Sequence, residues 1–199
     1  ALAVHSLRTG KFMTGQSALV LGAGPIGLAT IEALKAAGAS LVIVMQRKSV
    51  RQDYALRAGA DIVIDPNEVN VAEEVKRLTG GVGADISFET TGSKAGFDAR
   101  MESIRHNGTM VVTSIWENEV SINPNTFIFS EKTIVGTIAY RNEFPATMAL
   151  MNDGRIKAEG YITKKISLDD IVKEGFGSLT GPDKKNHVKI LVTPDKSLL

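Results

Sequence analysis

The chain has 199 residues, 43% hydrophobic and 23% charged, enough for one core-bearing domain and ordinary for a globular protein. A net charge of +1 gives no case for a nucleic-acid or membrane surface, and no apolar run approaches the roughly 18 residues that span a bilayer. The absence of cysteine excludes disulfides and thiolate zinc sites within this sequence, and without a signal peptide a soluble, cytoplasmic protein is expected.

The N-terminal Ala1-Leu-Ala-Val begins inside an apolar pattern with no cap, so the sequence reads as cut from something longer. Ala18–Leu21 is a first strand. The turn Gly22-Ala-Gly24-Pro25-Ile26-Gly27 joins it to a helix over Ile26–Ala37 that stops at Gly38. Each glycine has its own task. Gly22 permits the tight exit from the strand, Gly24 lets backbone approach a pyrophosphate, and Gly27 lets the helix lie against the strand. Pro25 suits the first helical turn, where the N–H groups beginning at Ile26 face a phosphate. A glycine triplet alone is a weak signal. With a strand before it and a helix after it, the turn becomes a dinucleotide-binding fingerprint.

Leu41–Met45 is a second strand, Ser49–Arg57 a helix closed by Gly59, and Ile62–Ile64 a third strand halted by Asp65-Pro66. Val69–Leu78 is an amphipathic helix. Ile86–Phe88 is a fourth strand, Ala95–Ile104 a helix, His106–Gly108 a turn, Thr109–Ser114 a fifth strand and Ile134–Ile138 a sixth; a helix over Phe144–Asp153 follows. Strands separated by helices imply right-handed crossovers. The expected fold is α/β, a doubly wound six-stranded parallel sheet of the Rossmann type with helices on both faces and ligands at the carboxyl ends of the strands.

After Gly160 the alternation stops. Tyr161–Leu168, a helix over Asp169–Phe176, a polar loop holding Lys184-Lys185 and a strand at Val188–Val192 form a tail that belongs against another structural unit. Residues 1–159 are thus read as the NAD(P)-binding domain with its leading helix, and 160–199 as a C-terminal return segment. No nucleophile triad, paired-carboxylate site or P-loop emerges. His5, His106 and His187 lack metal-ligand spacing, and Lys184-Lys185 reads as solvated.

Several blocks in order resemble the medium-chain, zinc-type alcohol dehydrogenase family, in its branch of butanediol and sorbitol dehydrogenases. They include Val20-Leu-Gly-Ala-Gly-Pro-Ile-Gly27, Gly59-Ala-Asp-Ile-Val-Ile-Asp65, Thr79-Gly-Gly-Val-Gly-Ala-Asp-Ile-Ser-Phe-Glu-Thr-Thr-Gly92, Glu131-Lys-Thr-Ile-Val-Gly136 and His187-Val-Lys-Ile-Leu-Val192. The resemblance implies a catalytic domain ahead of Ala1, carrying the zinc, onto which the return segment packs. It also implies oxidation of a secondary alcohol or diol, or reduction of the carbonyl, with a nicotinamide coenzyme. This chain would then bind coenzyme without turning over alcohol, with no catalytic and no metal-binding residue of its own.

Within that reading the residues speak to the choice of coenzyme. An acid about 20 residues past the glycines holds the adenosine ribose in NAD-binding units. Here Gln46 stands nineteen positions past Gly27, and Arg47, Lys48 and Arg51 follow. A neutral amide does not repel a 2′-phosphate, and Arg47 offers it a planar donor fork beside the Lys48 charge. NADP is favoured, with NAD the alternative; Arg51 suits adenine packing with either. The resemblance puts Thr90 and Thr91 beside the adenosine, Ser114, Ile115 and Trp116 near the nicotinamide, and Thr137 and Ala139 at the carboxamide. For Trp116 a core position is equally open. Val120–Phe129, with Phe127 and Phe129, suits either a homodimer joined through the sheet edge or packing on the domain's own sheet. A non-catalytic NAD(P)-binding redox-sensing module is the alternative function. A methyltransferase is a second rival, disfavoured because Gln46 replaces its usual ribose-binding acid.

Overall fold

The structure, a computed structural model, describes residues 1–93, 97 and 101–199, with residue 158 described in its backbone alone. A leading helix α1 (Leu2–Thr9) precedes strand β1 (Ser17–Leu21), helix α2 (Pro25–Ala36), β2 (Leu41–Met45), α3 (Arg51–Arg57), β3 (Ile62–Ile64), α4 (Val71–Leu78) and β4 (Ala84–Glu89). Strands β5 (Ile104–Val112) and β6 (Thr133–Gly136) complete one sheet in the order β3-β2-β1-β4-β5-β6. All five pairings are parallel. Chain direction therefore reverses its progress across the sheet between β1 and β4, the topological switch point at which sheets of this kind bind ligands.

Alternation explains why the central strands are apolar throughout. Ala18 and Val20 of β1, with Val42 and Val44 of β2, face one core with Leu28, Ile31 and Leu34 of α2. Leu19, Leu21 and Ile43 point the opposite way, onto Val71 and Val75 of α4. Successive strand side chains take opposite faces, so a sheet covered on both sides buries every residue of β1 from Ala18 to Leu21. A third cluster joins Phe97, Met101, Ile104 and Met110 beneath the β5–β6 side. No helix of the described residues is long and apolar enough to cross a membrane.

Several boundaries differ from the sequence reading for local reasons. Helix α4 starts at Val71 because the Asn70 side-chain oxygen accepts the Ala72 and Glu73 N–H groups, at 3.0 and 3.3 Å, and so caps it. Of the helix expected over Ala95–Ile104, Phe97 and residues 101–103 are helical, while residues 95, 96 and 98–100 lie outside the described residues. Ile104 opens β5 instead, since its side chain is buried in the third cluster and it pairs with Ala84. The expected His106–Gly108 turn thus becomes an irregularity within β5, where pairing resumes at Ile86–Thr109 and Asn107 takes φ 56°.

The tail has its own small parallel sheet, β7 (Ile162–Ser167) with β8 (Lys189–Thr193). In place of the helix expected over Asp169–Phe176 stand a 3-10 turn, Leu168–Asp170, and a π-helical turn, Ile171–Phe176. Gly175 sits in that turn where a Cβ would press on Ile166 at 3.2 Å, and glycine weakly supports a regular α-helix. The tail is tied down where both of its strands begin: Tyr161 and Val188 pack on the first core, and the Lys157 N–H donates to Glu32 at 3.1 Å. Val172 and Phe176 nevertheless stay 73% and 61% exposed.

Glu143 fastens α1 to the helix Phe144–Asn152. Its carboxylate accepts the Arg141 N–H at 2.7 Å and lies 3.2 Å from His5 Nδ1 and 3.4 Å from Arg8. The Arg141 N–H first, then the His5 and Arg8 side chains, bring its pKa from 4.5 down to about 2 against the opposing effect of desolvation. A depressed folded-state pKa means stability that is whole above 4.5 and lost as pH falls towards about 2. Glu143→Gln is expected to lower stability at neutral pH and to flatten the acid limb in that window, read from urea midpoints against pH. An unchanged acid limb would refute the assignment.

Candidate functional site

The crevice is built from the loops that leave β1, β4, β5 and β6. At the end of β1, Gly22 has φ +92°, which side chains rarely adopt, and its N–H donates to the Met45 carbonyl at 2.9 Å. Pro25 then occupies the first turn of α2, and Gly24 is its N-cap. A Cβ on Gly27 would lie 1.9 Å from the Gly22 carbonyl oxygen, so glycine is what brings α2 onto the turn. Gly24 differs. Its φ of −79° suits any residue, and a Cβ there would meet no protein atom within 4 Å. Neither its φ nor contact with other protein atoms requires glycine at Gly24. Pro25 and Ile26 carry the helix start beside it, where the first N–H groups lack intrahelical partners.

The end of β2 is wired into the same turn. The Gln46 side-chain oxygen accepts the Ala23 N–H at 2.9 Å, while its amide donates to the Arg47 carbonyl at 2.9 Å. The acid of the next strand shapes the following loop. Asp65 accepts the Lys48 N–H at 2.7 Å and the Asn67 N–H at 2.8 Å. Gln46, Arg47, Lys48 and Arg51 line a cavity of about 450 Å³. Lys184, Lys185 and Leu179 of the tail line it too. Sequence reading missed these three, because a Lys-Lys pair in a polar loop looks like any solvated surface; only the path of the tail brings it to β2.

Beyond β4, Thr90 donates its hydroxyl to the Leu21 carbonyl at 2.6 Å, which locks two loops of the crevice together. Thr91 packs its methyl 2.6 Å from the site of a Gly22 Cβ and donates its N–H to Glu89 at 2.7 Å. Fully buried Glu89 also accepts the Gly92 N–H and the Ser114 hydroxyl, so one carboxylate holds the β4 and β5 loops. Ile115 is exposed at the rim. Trp116 is partly buried and packs edge-on to Phe97, with ring centres 6.0 Å apart, against the third cluster. Past β6, the Thr137 N–H still donates to the Val112 carbonyl at 3.0 Å, and Ala139 holds φ 52° at the end of the row. Phe127 packs on the domain's own sheet, whereas Ile128 and Phe129 are 65% and 79% exposed.

Four loops at the carboxyl edge, an anchored glycine turn and open space before a helix start define an α/β domain of the Rossmann type. Among the described residues no group of three or more His, Cys, Asp or Glu side chains is placed to hold a metal ion. The sequence pattern described as zinc-binding dehydrogenase matches residues 25–153. An (R,R)-butanediol dehydrogenase of Bacillus subtilis is 42% identical over 196 residues, covering 98% of this chain and 56% of that protein. One from Neisseria gonorrhoeae is 41% identical over 182 residues, 91% of this chain and 51% of the relative. The crystal structure of the Bacillus subtilis 2R,3R-butanediol dehydrogenase superposes with a TM-score of 0.91 at 42% identity, covering 98% of this chain and 55% of that one. The chain belongs to the zinc-binding dehydrogenase family. It spans about half the length of the curated relatives it matches.

Proposed function

We propose that this chain is the coenzyme-binding part of a zinc-type medium-chain dehydrogenase that oxidises a secondary alcohol or diol, or reduces the carbonyl, with NADP in preference to NAD. The glycine turn carries the reading: no protein atom stands within 4 Å of a Gly24 Cβ, which leaves its backbone open to the approach of a pyrophosphate. In this assignment Gly22, Gly24, Pro25 and Ile26 hold the pyrophosphate, and Gln46, Arg47, Lys48 and Arg51 the adenosine end. Thr90 and Thr91 form the wall beside the adenosine; Ser114, Ile115, Trp116, Thr137 and Ala139 lie towards the nicotinamide. The resemblance to butanediol dehydrogenases supports a diol or hydroxyketone as the substrate of the whole protein. Zinc supplies the Lewis acid that polarises the alcohol oxygen in such an enzyme, and it is assigned to residues outside this sequence.

This chain alone then binds coenzyme and transfers no hydride, in the cytoplasm, with residues 160–199 returning onto the zinc-bearing part. Exposed Val172 and Phe176 support that packing. Exposed Ile128 and Phe129 beside edge strand β6 support a homodimer through that edge, which light scattering would decide.

The decisive test pairs fluorescence titration of NADPH and NADH with the Gly24→Ala variant. The parent is expected to bind NADPH more tightly, by roughly 10-fold or more for one charged hydrogen bond to the extra phosphate. Gly24→Ala should lower stability by no more than about 1 kcal/mol, the cost of a poorer N-cap, and lose coenzyme affinity by at least about 10-fold. Retained affinity, or alcohol oxidation by the metal-free chain, would overturn the assignment.

A further inference from the structure

The cavity at the end of β2 draws its cations from two parts of the chain that are far apart in sequence. Arg47, Lys48 and Arg51 come from the connection into α3. Lys184 and Lys185 come from the 3-10 turn Pro182–Asn186 of the tail. No carboxylate lines the cavity, and among the described residues none of the five cations forms an ion pair. Five like charges around one space repel one another, and an anion seated there relieves that repulsion.

The tail wall is held in place. Just beyond the lysines, Val188 is 5% exposed in the first core, and its N–H donates to the Thr163 hydroxyl at 3.2 Å. The Arg51 guanidinium donates to the His187 carbonyl at 3.4 Å, so one cation of the first wall grips the base of the second. Lys184 and Lys185, in the 3-10 turn just before this anchored segment, line the space beside Arg47.

We propose that Lys184 and Lys185 form a second wall of the subsite for the ribose 2′-phosphate and set the preference for the phosphorylated coenzyme. The proposal rests on the NADP reading above and deepens it: the preference is written in the tail as well as at the end of β2. A phosphate monoester carries about −1.5 to −2 charges at pH 7, whereas the 2′-hydroxyl of NAD is neutral. The two lysines should thus act on one coenzyme and not on the other. Being exposed and flexible, each contributes modestly, and salt weakens the effect.

The test uses the 199-residue chain and two minimal probes, 2′,5′-ADP and 5′-AMP, which differ at the 2′ position alone. Calorimetric titration of Lys184→Gln/Lys185→Gln is expected to show 2′,5′-ADP weakened about 10-fold at low salt, with the difference shrinking at high salt. Affinity for 5′-AMP should be unchanged, and so should the circular dichroism melt, because both side chains are exposed. If the parent prefers 2′,5′-ADP and the double variant keeps that preference in full, the second wall is refuted while the NADP reading stands. If the parent binds both probes equally, or neither, the NADP reading fails and takes the second wall with it.

Discussion

Gly27→Ala is expected to destabilise the chain by about 3 kcal/mol, at the upper end of what overpacking typically costs. The new Cβ would stand 1.9 Å from the Gly22 carbonyl oxygen and 3.2 Å from the Thr90 hydroxyl. The first contact is backbone. It cannot swing aside, because Gly22 is held by its bond to Met45 and by the closing bond from Thr90 to Leu21. Helix α2 must therefore lift from β1, and it carries Leu28, Ile31 and Leu34 into the main core. A chain of this size should lose roughly 10 °C in melting temperature. Urea unfolding followed by circular dichroism measures it. A variant within about 0.5 kcal/mol of the parent would show that α2 shifts freely. The contrast with Gly24→Ala, where a Cβ meets only open space, separates a glycine kept for packing from one kept for a ligand.

Gln46→Glu should reverse the coenzyme preference. The carboxylate can still accept the Ala23 N–H, so the link between β1 and β2 survives. What it loses is the donation to the Arg47 carbonyl, a change of about 1 kcal/mol in stability. The added charge stands among Arg47, Lys48 and Arg51, repels a 2′-phosphate, and accepts the ribose hydroxyls of NAD instead. NADPH is expected to weaken by roughly 10- to 100-fold and NADH to tighten. Parallel fluorescence titrations of both coenzymes give the ratio. An unchanged ratio would show that the end of β2 does not read the 2′ position.

The elements most legible in the sequence were those with a short-range cause. Strands β1 and β2 are unbroken apolar runs because both their faces are covered, and the glycine turn follows from the tight exit and close approach it must make. Their order along the chain, strand and helix in turn, was enough for the parallel sheet. The β5 region was misjudged for a long-range reason: Asn107-Gly108 has the composition of a turn, but Ile104 before it is drawn into a core made by Met101 and Met110. The tail helix failed in a similar way, since Gly175 is placed by Ile166 of β7 rather than by helical periodicity. At Trp116 the residue type alone did not announce the edge-on contact with Phe97.

Local chemistry by itself determined the sheet, the glycine turn, the neutral residue at the end of β2 and the cations after it. Those features depend on neighbours a few residues away, so a linear reading reaches them. Tertiary structure alone decided that Glu89 binds two loops, that Gln46 is tied to Ala23, and that Lys184 and Lys185 face Arg47's cavity. The links from Gln46 to Ala23, from Glu89 to Ser114 and from Lys184 to Arg47's cavity span 23, 25 and 137 positions of sequence, and nothing in the residue types announces them. The last of them exists because burial of Val188 in the core, with the Arg51 bond to the His187 carbonyl, brings the tail to the end of β2.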